Sequence, residues 1–373
     1  MNVLVLNTGS SSVKWQVRSE PDGARLGEGV VERIGDGGPV DHVAAIGEVL
    51  DAVPPDVDIQ AVGHRVVHGG ERFAEPVLID HAVLRVIDEL SPLAPLHNPA
   101  GLAGIRAATA RLPRLPQVAV FDTAFHLTLP ERAWRYAVPE RLHAELGVRR
   151  YGFHGISFEF VAGATATYLG VERFTGVIAH LGNGASACAV RDGVSVDTSM
   201  GMTPLAGLVM GTRSGDLDPG VLLHLLRHGY STDDLDDLLN RRSGLLGLTG
   251  VGDMRSVQAR ADDGDHDAEV ALDVAAYRLA TTVAGYQVAL GGMPALVLTG
   301  GIGEHATAFR ARVVALLAPL GARLDPTRNA ASSDEVVRLI STDDSAVPVL
   351  VVRTDEERVI AVATAALAGG SRR

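Results

Sequence analysis

Short apolar runs that alternate with glycine-rich turns form the first pattern in the chain. Residues 3–6 and the largely apolar residues 13–17 predict two buried strands, and residues 8–12 between them predict a tight hairpin tip. The backbone N–H groups of such a tip, its serine hydroxyls and a nearby ammonium group suit an anion of phosphate size. Lys14 stands beside this tip and is the only lysine in the chain. A polar turn without a ligand is the alternative interpretation of Gly-Ser-Ser-Ser.

The same periodicities continue along the chain and predict alternating strands and helices. Further strands are predicted at 26–31, 59–67, 118–121, 295–299 and 347–352, with a second strand, turn and strand at 176–190. Helices are predicted at 40–50, 81–90, 98–110, 157–169, 219–227, 232–239, 268–290, 308–317 and 356–368. Residues 300–304 are predicted to form a glycine turn after their strand, whereas 197–206 and 210–216 are predicted to be glycine-rich loops.

The pattern of the opening hairpin restarts after Arg149. Residues 176–190 can be aligned on residues 3–17, so that each stretch reads as a strand, a small-residue turn and a strand. A repeated unit of this kind predicts an internal duplication into two related domains. In this alignment Ala187 falls on Lys14, so the two turns cannot be equivalent.

Composition narrows the class of protein. A chain of 373 residues with 46% hydrophobic and 21% charged residues is long enough for two cores and is typical of an α/β enzyme. The net charge of -12 opposes binding to a nucleic-acid backbone. The chain enters a strand at once and has no apolar run of about 18 residues, so we expect no membrane partner and a cytoplasmic location. Cys188 is the only cysteine, which excludes an internal disulfide and predicts a small core residue.

Three glycine-rich turns, each after an apolar strand, indicate a nucleotide. The sequence Gly-x4-Gly-Lys-Ser/Thr of P-loop NTPases is absent. Residues 300–303 lack the full glycine spacing of a Rossmann fingerprint, and the chain opens with a hairpin where that fold has a βαβ unit. The remaining architecture is the duplicated one of actin, hexokinase and Hsp70.

We therefore predict an α/β protein with a duplicated actin-like (ribonuclease H-like) fold, whose two domains surround a central cleft. The first domain is predicted at residues 1–148, joined by a C-terminal helix at about 358–373. The second, nucleotide-binding domain is predicted at 149–357, with a hinge near residue 148.

Seven motifs in order along nearly the whole chain resemble the acetate kinase family. They are Asn7–Lys14, Gly63–Gly70, Phe121–His126, Tyr151–Gly155, His180–Gly184, Gly211–Asp216 and Gly301–Glu304. Each motif alone is weak, but seven in the family's order leave little room for coincidence.

The resemblance implies reversible transfer of the ATP γ-phosphoryl group to acetate, giving ADP and acetyl phosphate by direct in-line transfer. It also implies Mg2+, or Mn2+ in its place, domain closure around the substrates and a homodimer. Alternatives within the class are a propionate or butyrate kinase and a pyrophosphate-dependent acetate kinase. The alternative from another class is a non-catalytic nucleotide-binding protein of the actin or Hsp70 kind.

The resemblance also implies roles for individual residues. The implied catalytic residues are Asp122, His154, Arg213 and Arg65. The implied acyl-substrate residues are Arg65, Val67, Leu96, His97, Phe153 and Pro204. The implied ATP-binding residues are Lys14, His180, Leu181, Gly182, Asn183, Gly184, Asp253, Met254, Arg255, Gly301, Ile302, Gly303, Glu304 and His305. The implied metal ligands, directly or through water, are Asn7 and Glu356.

Physical chemistry agrees with several of these roles but leaves alternatives. Phosphoryl transfer requires mainly positioning and charge neutralisation, and a guanidinium group can hold a carboxylate or phosphoryl group at two points. Without the resemblance, His154 could equally be a core histidine and Asp122 a turn former. Glu356 could serve only to favour the start of a helix. The apolar acyl-pocket residues could simply belong to the core.

Some positions depart from the family's pattern. His305 stands where the family usually has Asn, and the segment before Asp253 is one residue short; both departures lie on the nucleoside side of the implied site. Ile156 and Phe158 replace a Thr and a His, and Ala206 replaces an acidic residue.

Overall fold

The structure is a computed structural model, and it describes residues 1–370. The strands are β1 (Asn2–Thr8), β2 (Ser12–Ser19), β3 (Arg25–Glu32), β4 (Ala61–Val66), β5 (Val77–Leu78), β6 (Gln117–Phe121), β7 (Gly176–Leu181), β8 (Ala185–Arg191), β9 (Val194–Thr198), β10 (Leu296–Thr299), β11 (Val337–Leu339) and β12 (Val349–Val352).

The helices alternate with these strands. They are α1 (His42–Ala52), α2 (His81–Glu89), α3 (Asn98–Arg111), α4 (Glu131–Trp134), α5 (Glu140–Leu146), α6 (Gly155–Leu169), α7 (Pro219–Arg227), α8 (Thr232–Arg241), α9 (Gly244–Thr249), α10 (Met254–Asp262), α11 (His266–Leu290), α12 (Gly300–His305), α13 (Thr307–Leu316), α14 (Pro326–Ala330) and α15 (Glu356–Gly370). Short 3-10 turns occur at Ser91–Leu93, Ala124–Thr128 and Ala318–Leu320.

Polar side chains placed just before the helices explain where many of them begin. The residue before the helix accepts a hydrogen bond from a backbone N–H group of the first turn, which would otherwise have no partner. Ser231 and Asp234 form a reciprocal capping box at the start of α8. At the start of six other helices, the side chain of an aspartate accepts a hydrogen bond from a first-turn N–H group. These aspartates are Asp41, Asp80, Asp218, Asp253, Asp265 and Asp325.

The chain forms two compact units. Unit 1 consists of Met1–Leu127 and the chain from Asp355, and unit 2 consists of Thr128–Thr354. The sheet of unit 1 has the order β3-β2-β1-β4-β6-β5. Strands β1, β4 and β6 are parallel, and the outer strands are antiparallel to their neighbours. The predicted domain boundary near residue 148 stays a prediction.

Helices pack on both faces of the unit 1 sheet, because its central strands are apolar on both sides. Leu4 and Leu6 of β1 lie in one core cluster with Ile46 of α1 and Ala108 of α3. Helix α15 contacts β4 so closely that a Cβ added at Gly63 would lie 2.4 Å from the Thr364 hydroxyl oxygen.

The sheet of unit 2 repeats the topology of unit 1. Read from the opposite end, its order is β9-β8-β7-β10-β12-β11, with β7, β10 and β12 parallel and the outer strands antiparallel. Each sheet also has an irregularity at the matching place, between Val17 and Arg18 in β2 and between Ala189 and Val190 in β8. The predicted duplicated, two-domain α/β fold of the actin-like type is therefore confirmed.

The two hairpin tips differ in length. The last pair before the first tip joins Thr8 to Val13, whereas the last pair before the second joins Leu181 to Ala185. The first tip is thus one residue longer than the second. Both tips are closed in the same way, since Gly9 N donates to Ser12 O at 2.8 Å and Gly182 N donates to Gly184 O at 3.0 Å.

This difference corrects the alignment of the two halves. Lys14 pairs with Asn7 in the first hairpin, and Ser186 pairs with His180 in the second. The residue that corresponds to Lys14 is therefore Ser186, and the prediction that Ala187 takes this place is wrong by one residue. A sequence alignment without a gap cannot register an added residue in a turn.

The predicted strands and helices are otherwise present, apart from one segment. Residues 300–304 were expected to form a glycine turn, but Gly300–His305 is the short helix α12. Gly300 has φ +74° and a built Cβ there would lie 2.8 Å from Leu181 O, so its lack of a side chain lets β10 pass directly into the helix. Cys188 is fully buried, as predicted. No helix within residues 1–370 is both long and apolar enough to span a bilayer.

Candidate active site

The polar residues of unit 1 meet at the carboxyl ends of three parallel strands. Asn7 lies near the end of β1, Arg65 near the end of β4, and Asp122 directly after β6. Arg65 Nε donates to Asp122 Oδ1 at 3.0 Å and Arg65 Nη2 to Asp122 Oδ2 at 2.5 Å. Arg65 Nη1 donates to Asn7 Oδ1 at 3.2 Å. The structure thus brings together three predicted site residues that are 58 and 57 positions apart in the chain.

These contacts use three of the five N–H groups of Arg65, so two remain to bind a substrate anion. The side chain of Arg65 is 19% exposed and that of Asp122 is 1% exposed. Burial opposes the charged form of Arg65, but Asp122 and Glu356 raise its pKa above the usual value. Arg65 therefore stays charged, and Asp122 binds the edge of its guanidinium group that carries Nε and Nη2.

Glu356 and Lys14 complete this cluster. Glu356 is half-buried at the start of α15, and burial raises the pKa of its carboxyl group while Arg65 and Lys14 oppose the rise. Lys14 pairs with Asn7 across the hairpin and its side chain is exposed.

The donor set fits a divalent cation that keeps several waters. Among residues 1–370 no group of three or more His, Cys, Asp or Glu side chains could hold a metal. Mg2+ is usually bound by one or two carboxylates together with phosphate oxygens and water, so a dedicated protein cage is not required. The carboxylate of Glu356 is a ligand of this kind, and the amide of Asn7 offers a further oxygen atom.

The predicted acyl-substrate residues of unit 1 are held together by a residue that the sequence analysis missed. Val67 follows β4, while Leu96 and His97 precede α3, and all three are half-buried. Asn98 joins the two segments, because its Oδ1 accepts from His68 N at 3.1 Å and its Nδ2 donates to His68 O at 3.0 Å. The Asn-Pro pair at the start of α3 is the signal that could have pointed to it.

The centre of the predicted site in unit 2 contains two stacked histidines. His154 precedes α6 and His180 lies in β7, and their ring centroids are 4.3 Å apart. His154 has a φ of 59°, a left-handed conformation that costs free energy in a non-glycine residue and is frequent at functional sites. Its Nδ1 lies 2.8 Å from the Ser186 hydroxyl oxygen, which fixes the orientation of the ring.

Arg213 lies beside His154, next to the second hairpin tip. A Cβ built on Gly184 would lie 3.6 Å from both Arg213 Nη1 and His154 Nε2. Arg213 Nη1 also donates to the carbonyl oxygen of Pro204 at 2.8 Å. The structure therefore brings His154, Arg213 and the turn around Gly184 together. Phe153, which is buried, and Pro204, which is half-buried, lie in the adjacent segments.

A chain of hydrogen bonds links His180 to Ser157, Thr354 and Glu304. Its Nδ1 lies 2.8 Å from the Ser157 hydroxyl, which is itself 2.8 Å from the Thr354 hydroxyl. Thr354 N donates to Glu304 Oε1 at 3.2 Å. Glu304, predicted to bind ATP, is therefore engaged with the backbone of unit 2. Ser157 and Thr354 are further residues that the sequence analysis did not single out, because their role depends on contacts far apart in the chain.

A cleft of about 470 Å³ in unit 2 contains most of the predicted nucleotide residues. Its size lies within the range of small-molecule sites. The predicted residues that line it are Gly182, Asn183, Asp253, Met254, Arg255, Gly301, Ile302 and His305. Gly252 and Ala306 also line it and were not predicted.

The other predicted nucleotide residues lie elsewhere. Leu181 lines a small apolar pocket that adjoins the cleft at Gly182, and Gly303 is buried in α12. Lys14 belongs to unit 1.

Asn183 of the cleft is held by Gly211. The N–H group of Gly211 donates to Asn183 O at 2.9 Å, and a Cβ built on Gly211 would lie 2.0 Å from Asn183 Oδ1.

Comparison with known proteins identifies the family. The model of the Acetokinase family matches residues 39–362 of this chain. The chain belongs to the acetokinase family. It is 58% identical to the acetate kinase of Pseudarthrobacter chlorophenolicus, over 100% of both chains, and 55% identical to that of Micrococcus luteus, over 99% of this chain and 100% of the relative.

Solved structures of family members agree with the fold. The propionate kinase of Francisella tularensis has a TM-score of 0.92 at 39% identity and covers 98% of this chain and 99% of its own. The acetate kinase of Porphyromonas gingivalis has a TM-score of 0.91 at 40% identity, with the same coverage.

Proposed function

We propose that this protein is an acetate kinase, which transfers the γ-phosphoryl group of ATP to acetate and forms ADP and acetyl phosphate reversibly. The observation that carries this proposal is the high identity to acetate kinases over the whole length of both chains. The side chains agree with it, since each unit holds an arginine among residues suited to anions, Arg65 in unit 1 and Arg213 in unit 2. A protein that only senses a nucleotide does not need both.

In unit 1, Arg65 binds the carboxylate of acetate or the acyl phosphate. Asp122 binds one edge of the guanidinium group, so that the two remaining N–H groups point in a fixed direction. Asn7 and Glu356 would hold Mg2+, or Mn2+ in its place, and a bound cation would supply charge neutralisation for the phosphate oxygens. The apolar side chains of Val67 and Leu96 contact the acyl methyl group, with His97 beside them.

In unit 2, the cleft binds the nucleotide, and His154 and Arg213 stabilise the transferring phosphoryl group. Donors that are already oriented before the reaction lower its barrier, because they need not reorganise as charge develops. Ser186 holds the ring of His154, and Pro204 O holds Arg213. Phe153 and Pro204 are the residues of unit 2 that the family resemblance assigns to binding of the acyl substrate. Because it consumes ATP, this protein is proposed to act in the cytoplasm.

The test is to trap acetyl phosphate as its hydroxamate, with purified protein, ATP, Mg2+ and a panel of acetate, propionate and butyrate. We expect the highest kcat/KM with acetate, and replacing Mg2+ by EDTA should abolish the product. Preference for propionate or butyrate would change the substrate, and activity with pyrophosphate alone would change the donor. If no carboxylate gives a product, the enzyme assignment is wrong.

We also propose that two copies of the chain associate through α7. Within residues 1–370 none of the nine residues of this helix is fully buried, and Leu223 and Leu226 are 53% and 41% exposed. Neighbouring apolar side chains that are left exposed favour association with another surface. Light scattering should show a dimer for the wild-type chain and a monomer for Leu223→Asp/Leu226→Asp. The control is Val288→Asp, since Val288 is 90% exposed elsewhere; a dimer in both variants would contradict this interface.

A further inference from the structure

A second cavity in unit 2 adjoins helix α12. It has a volume of about 220 Å³ and shares His305 with the nucleotide cleft. Apart from Glu304 and His305, none of its lining residues has a role in the proposed reaction. Its charged and hydroxyl-bearing lining includes Thr307, Arg310, Ser333, Glu335, Arg338 and Arg353.

Arg310 is fully buried in the wall of this cavity and has no carboxylate partner among residues 1–370. Its guanidinium group donates to Gly303 O at 3.0 Å, to Glu304 O at 2.8 Å, and to Asn329 Oδ1 and O at 2.7 Å each. These acceptors are neutral, so the hydrogen bonds are satisfied but the charge is not compensated. Burial, together with the charge of Arg338, lowers the pKa of Arg310 to about 10.

Arg338 adds a second cation to the same wall. It is half-buried, and its one hydrogen bond within residues 1–370 is from Nη1 to Arg328 O at 3.0 Å. No salt bridge within residues 1–370 joins Arg338 to an acid, and burial lowers the pKa of its guanidinium group. Glu335 is exposed, and the carboxylate of Glu304, which also lines the cavity, accepts from Thr354 N and lies 4.0 Å from His305 Nε2. Arg353, which is exposed, donates to the backbone oxygen of Asp334.

Other arginines with little exposure contact a carboxylate or an aromatic ring. Arg18 pairs with Asp355, and Arg65 pairs with Asp122. Arg149 stacks on the ring of Trp134, 4.3 Å from its centroid. A buried cation without a counter-ion is costly, so two neighbouring guanidinium groups beside a cavity indicate that an anion supplies the missing charge.

We propose that this cavity binds a small oxyanion of the phosphate type. The volume of about 220 Å³ is below the roughly 300–1,000 Å³ of sites for larger ligands, which excludes a nucleotide and admits a single phosphate group. Arg338 supplies the N–H groups that bind the anion, and Thr307 and Ser333 supply hydroxyl groups. Arg310, whose N–H groups are engaged by the protein, contributes its positive charge from within the cavity wall.

The site is connected to the nucleotide cleft through α12. Arg310 holds the carbonyl groups of Gly303 and Glu304, while Gly301, Ile302 and His305 of the same helix line the cleft. An anion in the cavity therefore changes the nucleotide affinity, and by thermodynamic reciprocity the nucleotide changes the anion affinity. This coupling rests on the proposed function, whereas anion binding itself does not.

The experiment is equilibrium dialysis of radiolabelled inorganic phosphate against the full-length protein, with and without saturating ADP. We expect about one equivalent of phosphate to remain bound when ADP is present. Arg338→Gln should weaken this binding at least about tenfold, the scale of one charge-assisted hydrogen bond. Arg323→Gln is the matched control, because Arg323 is 64% exposed, pairs with Asp344 and does not line the cavity.

Phosphate binding that ADP abolishes and that Arg338→Gln leaves unchanged would place the anion in the nucleotide cleft and overturn the proposal. Binding that survives Arg338→Gln would overturn it as well. If Arg338→Gln fails to fold, Ser333→Ala removes a proposed hydroxyl ligand at the exposed side of the cavity and should also weaken phosphate binding. The readout requires no turnover, so its failure is distinguishable from failure of the kinase assignment.

Discussion

Asp122→Asn tests whether the buried pair in unit 1 orients Arg65. An amide can accept one of the two hydrogen bonds and presents an N–H group to the other donor, so Arg65 loses its charged partner. Breaking a buried ion pair by changing one partner costs about 3–5 kcal/mol. Arg65 retains 19% exposure and lies near Glu356, so we expect the lower end, about 3 kcal/mol. Urea unfolding at pH 7 measures the change in the free energy of unfolding.

The chain offers a matched control for this variant. Arg323 and Asp344 lie at the same N···O distance of 2.5 Å, but their side chains are 64% and 67% exposed. Asp344→Asn makes the same chemical change without burial, and we expect no measurable loss of stability. Equal losses in the two variants would refute the reasoning. In an Arg65→Met background, Asp122→Asn should cost much less, because there is no longer a buried charge to leave unpaired.

Further predictions concern the second hairpin tip, the first hairpin and a buried histidine. Gly184→Val should fold but lower turnover at least about a hundredfold in a coupled ADP assay, because its methyl groups fill the space between His154 and Arg213. Gly184→Ala should retain more activity, and equal turnover in both would contradict this. Lys14→Ala should reduce turnover more than ADP affinity measured by titration; the reverse would make the first turn a nucleotide-phosphate site. Burial lowers the pKa of His64 from 6.5 in the unfolded chain to about 4 in the folded one. Above pH 6.5 the neutral ring costs the folded state nothing, but as the pH falls from 6.5 to 4 the unfolded chain binds the proton more readily. The free energy of unfolding should therefore fall by about 3 kcal/mol over this range. His64→Gln should flatten that slope in unfolding experiments, and an unchanged slope would assign it to other groups.

Local signals in the chain were sufficient for most of the fold. The apolar runs of β1 and β7 are buried and lead directly into turns of small residues, so both hairpins could be predicted without tertiary information. Helix α12 could not, because three glycines in six residues disfavour a helix and only packing against Leu181 shows why glycine is needed. The register of the second hairpin was also missed, since a turn one residue shorter leaves no mark in the sequence.

The residues of the candidate site were predicted from motifs, but their contacts were not. Asn7, Arg65 and Asp122 each follow a strand, and only the order of the strands in the sheet brings them together. The support of His154 by Ser186, and the binding of Asn98 to His68, join residues that are 32 and 30 positions apart. Such pairings depend on the packing of whole elements.

By itself, the sequence determined the residue types, the alternation of strands and helices, the duplication and the family. Each of these depends on neighbouring residues or on ordered motifs, which a linear chain displays. The tertiary structure decided which hydrogen bonds each site residue makes, which charges are paired, and that Arg310 and Arg338 lie beside a cavity without a carboxylate partner in residues 1–370. Burial and charge compensation are properties of the space around a side chain, and that space exists only after the chain has folded.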